Sequence, residues 1–153
     1  PEPASRLGPK RRRHAQDAFA ENALVRSRFL LARWAAAFCA TAPPPQFDGP
    51  GGVWSPETLL CAAVADCFIL TFRAVARASK FEWTGLTCAV EGKLERADGP
   101  TRFTGFVTRA TLHVPAGADE AKATLLLEKA EHSCLITNSL NGTRELVTEV
   151  IVG

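Results

Sequence analysis

The chain has 153 residues, of which 46% are apolar and 22% charged, and its formal net charge is +2. That length suits one domain with its own core, and that balance excludes a disordered polyelectrolyte and gives the whole chain no strong pull toward nucleic acid. The five cysteines form no CxxC pair and no regular framework, which argues against a structural zinc site or a thioredoxin-type motif. They read as reduced thiols of a cytoplasmic protein, some of them reactive. No stretch approaches the length of uninterrupted apolar sequence that a spanning helix needs, so no membrane is expected as a partner.

The charge is uneven: residues 1–53 hold eight Lys/Arg against four Asp/Glu, and the rest of the chain is slightly acidic. Residues 1–16, with three prolines and the run Lys10-Arg-Arg-Arg-His14, read as a solvated, disordered tail. The Ala-, Leu- and Arg-rich stretch 17–41 predicts a helix. Residues 1–42 are thus expected to be a basic segment, partly disordered and partly helical. Pro43-Pro-Pro45 ends any helix there, and Phe47-Asp-Gly-Pro-Gly-Gly52 is a loop suited to tight backbone turns.

Ser55-Pro56-Glu57 then opens a helix. Serine is a good N-cap, proline suits the first helical position, and an acid favours the positive helix end. The helix is expected to run to about Ser79, with Leu60, Ala63, Val64, Cys67, Phe68 and Thr71 as its apolar stripe. Leu86, Cys88, Val90 and Leu94 alternate with polar residues and predict a strand with one buried face. Asp98-Gly99-Pro100 is a turn, and Arg102 to Val114 is a second strand. Asp119 can cap a second helix ending near Ser133, with Ala123, Leu126, Leu127, Ala130 and Cys134 on one stripe. Asn138 to Gly142 turns the chain, and Glu145 to Val152 closes it as a strand. This order predicts an α+β fold, with helices packed on an antiparallel sheet. Two apolar helix faces over so small a sheet predict a dimer.

The chemistry centres on Cys67 and Cys134. A thiol is a nucleophile only as thiolate, and a helix start or a nearby cation lowers its pKa. Attack on a peroxide gives a sulfenic acid, which a second thiol condenses to a disulfide. Both residues lie on inward helix faces, so packing and a two-thiol redox pair are both open readings. Glu57 precedes Cys67 by ten residues, about 15 Å of rise on one straight helix. It is either a helix-start carboxylate or a site residue acting through a helix break or across a subunit interface. Cys39, Cys61 and Cys88 read as packing residues, and His132 beside Cys134 gives no metal site; neither a metal nor a cofactor is expected.

Two segments resemble the OsmC/Ohr family, the osmotically induced protein C and organic hydroperoxide resistance proteins. Ser55-Pro-Glu-Thr-Leu-Leu-Cys-Ala-Ala-Val-Ala-Asp-Cys67 is similar to the segment around the family's reactive cysteine, and Pro44 to Trp54 is similar to its lead-in in one branch. His132-Ser-Cys134-Leu-Ile-Thr-Asn-Ser139 is similar to the segment around the second cysteine. The resemblance covers roughly residues 43–153, as an OsmC-like domain. It implies an intertwined homodimer with antiparallel sheets around two central helices, and thiol-dependent reduction of organic hydroperoxides in oxidative-stress defence. By position, Cys67 is then the peroxidatic thiol, Cys134 the resolving thiol, and Glu57 the acid that holds an arginine against the thiolate. An external dithiol, of lipoyl type, is the implied reductant. The first forty residues do not match the family's usual β-hairpin, which supplies the arginine in the peroxidases; Arg26, Arg28 and Arg33 are the candidates here. Two other functions compete. One is a noncatalytic OsmC-like domain that binds an apolar ligand at the dimer interface. The other is an interaction protein that uses its Arg-rich first third, with salt-sensitive binding.

Overall fold

A computed structural model of the chain describes residues 19–26, 40–96 and 99–153. Strand β1 (Phe19–Arg26) precedes helix α1 (Pro56–Ala78), strands β2 (Gly85–Glu95) and β3 (Arg102–Val114), helix α2 (Glu120–Ser133), the single-turn helix α3 (Leu135–Asn138) and strand β4 (Thr143–Val152). The strands form one sheet in the order β1-β2-β3-β4. Helices α1 and α2 pack together, α1 also against β1 and β2 and α2 against β4.

Helix α1 starts where its sequence says it should. Ser55 accepts from the Thr58 amide while the Thr58 hydroxyl accepts from the Ser55 amide, so two orphan donors of the first turn are satisfied reciprocally. The preceding loop turns through Asp48, Gly51 and Gly52, all at positive φ, a conformation that glycine adopts at no steric cost. Asp119 caps α2 by accepting from the Lys122 amide at 2.9 Å. The β2 face formed by Leu86, Cys88, Val90 and Leu94 is buried as the alternation predicts.

Three expectations need correction. Residues 19–26, inside the stretch expected as helix, form a strand antiparallel to β2, with Phe19 opposite Leu94 and Arg26 opposite Thr87. Helix propensity among ordinary residues differs by only about 0.7 kcal/mol each, less than pairing with an open sheet edge can supply. The rest of that expected helix, residues 27–39, lies outside the described residues, as does the expected tail at 1–16. Second, the sheet is not wholly antiparallel, because β4 runs parallel to β3. The crossover through α2 and α3 returns the chain to the same end of the sheet, as a parallel pair requires.

Third, the buried stripe of α1 is rotated from the one expected. It comprises Cys61, Val64, Ala65, Phe68, Ile69, Phe72 and Ala76. These meet Val90, Leu112, Val114 and Leu127 in the core, where Phe72 meets the Trp83 ring edge-on at a centroid distance of 5.6 Å. Among the described residues α1 is the one helix long and apolar enough to cross a membrane, with a mean hydropathy of 2.0. Here it is the core helix of the domain.

Candidate functional site

The rotation of α1 leaves a second apolar face uncovered. Ala63, Cys67, Leu70, Thr71 and Ala74 line one wall of an open groove of about 640 Å³, and Ser133, Leu135 and Ile136 line the other. Leu70 is 50% exposed and Leu135 75%, far more than apolar side chains of that size usually are beside a core. Asp66 supplies the acidic point on the rim.

Cys67 lines this groove, and the buried Cys134 meets it from behind. The Cys67 sulfur takes hydrogen bonds from the Ile136 and Leu135 amides, the Cys134 thiol and the Thr71 hydroxyl. Burial alone would raise its pKa, but these donors together outweigh burial and hold the thiol below its ordinary value. The two amides belong to the first turn of α3, whose N–H groups have no partner within the helix and are free to point at a neighbouring acceptor. Thr71 lies one turn beyond Cys67 on α1, at the i,i+4 spacing that brings side chains together.

Cys134 sits between α2 and α3 and is fully buried. Its pKa is raised, first by burial and then by the neighbouring Cys67 sulfur, with contacts from Thr137 offsetting only part of this. The Thr137 hydroxyl lies 3.1 Å from the Cys134 sulfur. The pair is therefore polarised: Cys67 is half-exposed and prone to ionise, while Cys134 holds its proton. Cys88 on β2 is also fully buried, and burial, followed by the charge that Cys134 carries once it ionises, pushes its pKa up to about 12. Such a thiol is inert. Cys61, Cys67, Cys88 and Cys134 are all reduced.

The turn that carries the α3 amides is tied down from behind. The Asn138 side chain donates to the His132 carbonyl at 2.9 Å, and Arg144 on β4 donates to the Asn138 side-chain oxygen. Arg144 also lies 3.7 Å from the Glu131 carboxylate. Thus α3 is clamped to the end of α2 on one side and to the sheet on the other.

Glu57 is not brought to the thiols. Helix α1 runs unbroken from Pro56 to Ala78, so the ten-residue separation stands and a helix break is ruled out as the route. One oxygen of its carboxylate, Oε2, is nevertheless buried and has no hydrogen-bond partner among the described residues. Of the arginine candidates, Arg26 lies on β1, while Arg28 and Arg33 lie outside the described residues, as does Cys39. No group of three or more metal-ligating side chains occurs among the described residues. The sequence reading missed Leu135, Ile136, Thr71 and Thr137 as site residues. Thr71 and Thr137 carried a readable signal, a hydroxyl four residues after one cysteine and three after the other.

The sequence model of the OsmC-like protein family matches residues 49–149. The chain belongs to the OsmC-like family. It is 32% identical to the uncharacterized protein YmaD of Bacillus subtilis (strain 168) over 112 residues, 71% of this chain and 75% of YmaD. It is also 32% identical to the organic hydroperoxide resistance protein of Xanthomonas axonopodis pv. citri (strain 306) over 100 residues, 65% and 68% of the two chains. The crystal structure of an organic hydroperoxide resistance protein OsmC from Legionella pneumophila superposes with a TM-score of 0.59 at 26% identity, covering 71% of this chain and 77% of that one. The mixed α+β fold described above is thus the fold of OsmC-like proteins.

Proposed function

We propose that this OsmC-like protein is a cytoplasmic two-thiol peroxidase that reduces organic hydroperoxides. The observation that carries the proposal is the Cys67 sulfur, which sits in an apolar groove, hydrogen-bonded by two backbone amides and by the thiol of Cys134. A thiolate attacks the O–O bond, and the apolar walls suit the organic half of a hydroperoxide better than hydrogen peroxide. In the first step the Cys67 thiolate takes the terminal oxygen of ROOH. The O–O bond breaks, and the RO⁻ that leaves takes up a proton to give the alcohol. Cys67 becomes a sulfenic acid. In the second step the Cys134 sulfur attacks the Cys67 sulfur, the S–O bond breaks, and water leaves with the Cys134 proton. An external dithiol, of lipoyl type, then exchanges with the disulfide and returns both thiols, leaving oxidised itself.

The rest of the machinery in this reading comes from a second copy of the chain. The apolar face of Ala63, Leu70 and Ala74 continues over Leu135 and needs cover. The buried, unpartnered Glu57 oxygen needs a donor, which an arginine from the basic first third would supply; that arginine then lies against the partner's Cys67. A homodimer meets both needs, and it frees Glu57 from the rise of about 15 Å that separates it from its own Cys67. The adjacency of the two thiols weighs against the noncatalytic apolar-ligand reading, which has no use for a polarised cysteine pair.

The test is consumption of cumene hydroperoxide with dihydrolipoamide as reductant. Wild type is expected to turn over, and Cys67→Ser to lose activity by more than a hundredfold. Equal, slow consumption by both proteins would sink the proposal.

A further inference from the structure

We propose that Thr137 is a catalytic residue of the disulfide-forming step, its hydroxyl steadying the negative charge that the Cys134 sulfur carries as it attacks oxidised Cys67. The inference rests on the reading of Cys67 and Cys134 as a redox pair and adds to it a residue for the half of the cycle that the Leu135 and Ile136 amides do not serve.

Hydroxyls on helices usually donate back to a carbonyl three or four residues earlier. Three other hydroxyls of this chain do so: Thr58 to the Ser55 carbonyl, Thr124 to the Glu120 carbonyl and Ser139 to the Leu135 carbonyl. Thr137 departs from this habit. Its hydroxyl, on a residue only 4% exposed, is directed instead to the Cys134 sulfur three residues back, at 3.1 Å. A neutral thiol is a weak acceptor, so the contact gains little in the resting protein. A thiolate is a strong acceptor, and hydrogen bonds to ionised groups are roughly twice as strong as neutral ones. The interaction therefore tightens only when charge develops on Cys134, which is the condition for accelerating a step.

Cys134 needs this help more than Cys67 does. It is fully buried, and ionised Cys67 opposes its ionisation. Oxidation of Cys67 removes that opposing charge. The Cys134 proton then leaves with the departing hydroxide as water, while the Thr137 hydroxyl remains a donor to the attacking sulfur until the S–S bond closes. The two sulfurs thus have separate donors: the Leu135 and Ile136 amides and Thr71 for Cys67, and the amide and hydroxyl of Thr137 for Cys134.

The test uses the full chain and 5,5′-dithiobis(2-nitrobenzoate), an aromatic disulfide, so that it does not depend on peroxide chemistry. Cys67 thiolate attacks the reagent and releases one thionitrobenzoate. Cys134 then attacks the mixed disulfide on Cys67 and releases a second, closing the Cys67–Cys134 bond. Stopped-flow absorbance resolves the two releases, and peptide mapping assigns them. The ratio of second to first rate constant is expected to fall about tenfold in Thr137→Val, the scale of one hydrogen bond to a charged group, and to recover in Thr137→Ser. Thr137→Ala gives a second hydroxyl-free variant with less bulk, should valine disturb folding. A wild-type ratio in the hydroxyl-free variants would overturn the inference. So would a Thr137→Ser ratio as low as that of Thr137→Val, which would assign the effect to the methyl group. If the protein fails to consume hydroperoxide, the proposed function falls, while the rate ratio still decides the role of Thr137.

Discussion

Gly92 on β2 lies directly under Cys61 of α1, and Gly92→Ala gives a sharp test of that packing. A Cβ placed there would lie 2.7 Å from the Phe103 ring and 2.8 Å from the Cys61 sulfur. Unstrained non-bonded contacts need about 3.5–4.0 Å, so each neighbour must retreat by several tenths of an ångström or more. Phe103 is only partly buried and can shift outward against Phe106, on which it stacks at 5.1 Å. Cys61 is fully buried in the core and has nowhere to go except with the α1 backbone. Overpacking of this kind costs about 1–3 kcal/mol. Urea unfolding at fixed protein concentration measures it. Cys61→Ala alone is expected to cost about 1 kcal/mol through lost burial, yet in the Gly92→Ala background it removes one of the two clashes. The double variant should therefore be more stable than the sum of the single changes by about 0.5–1.5 kcal/mol, a coupling typical of residues in contact. A Gly92→Ala protein within about 0.5 kcal/mol of wild type, with additive single changes, would refute the close approach of α1 to β2.

Alkylation of Cys67 by iodoacetamide, followed by peptide mass, is expected to reach half its maximal rate below the ordinary thiol pKa of about 8.5, because four donors hold the thiolate; an inflection at or above that value would contradict the site. Cys88 acts in the opposite sense on stability. Its folded pKa is pushed up to about 12, so above about pH 8.5 the unfolded chain releases a proton that the native chain keeps. Stability should fall as pH rises through that window, and Cys88→Val should flatten the fall; unchanged alkaline sensitivity in the variant would show that Cys88 is not its source. Leu70→Asp places a charge on the uncovered face of α1 without touching the core. Sedimentation should give a dimer for wild type and a monomer for the variant, and the same state for both would remove this face from the interface.

The sequence made the ends of α1 and α2 readable because their caps, Ser55 and Asp119, are local signals. The alternation of β2 was readable for the same reason, since period-two patterning needs no knowledge of distant partners. What failed was decided at a distance. The strand at 19–26 has the composition of a helix and is extended because β2 offers an edge. The parallel course of β4 follows from a crossover that no local pattern encodes. The stripe on α1 was rotated because its apolar residues run most of the way around the helix, so periodicity could not separate the side facing the sheet from the side facing the groove. Within the site, both thiols were identifiable from their motifs. The α3 amides were not, because a single turn at Leu135–Asn138 is too short to show a period, and backbone donors leave no residue signature at all.

The central claim is that Cys67 and Cys134 work as one redox unit, and the most direct measurement is thiol counting by intact mass before and after one equivalent of cumene hydroperoxide. Two free thiols should be lost, mapped to a Cys67–Cys134 disulfide, with Cys61 and Cys88 untouched. Retention of all five thiols would contradict it.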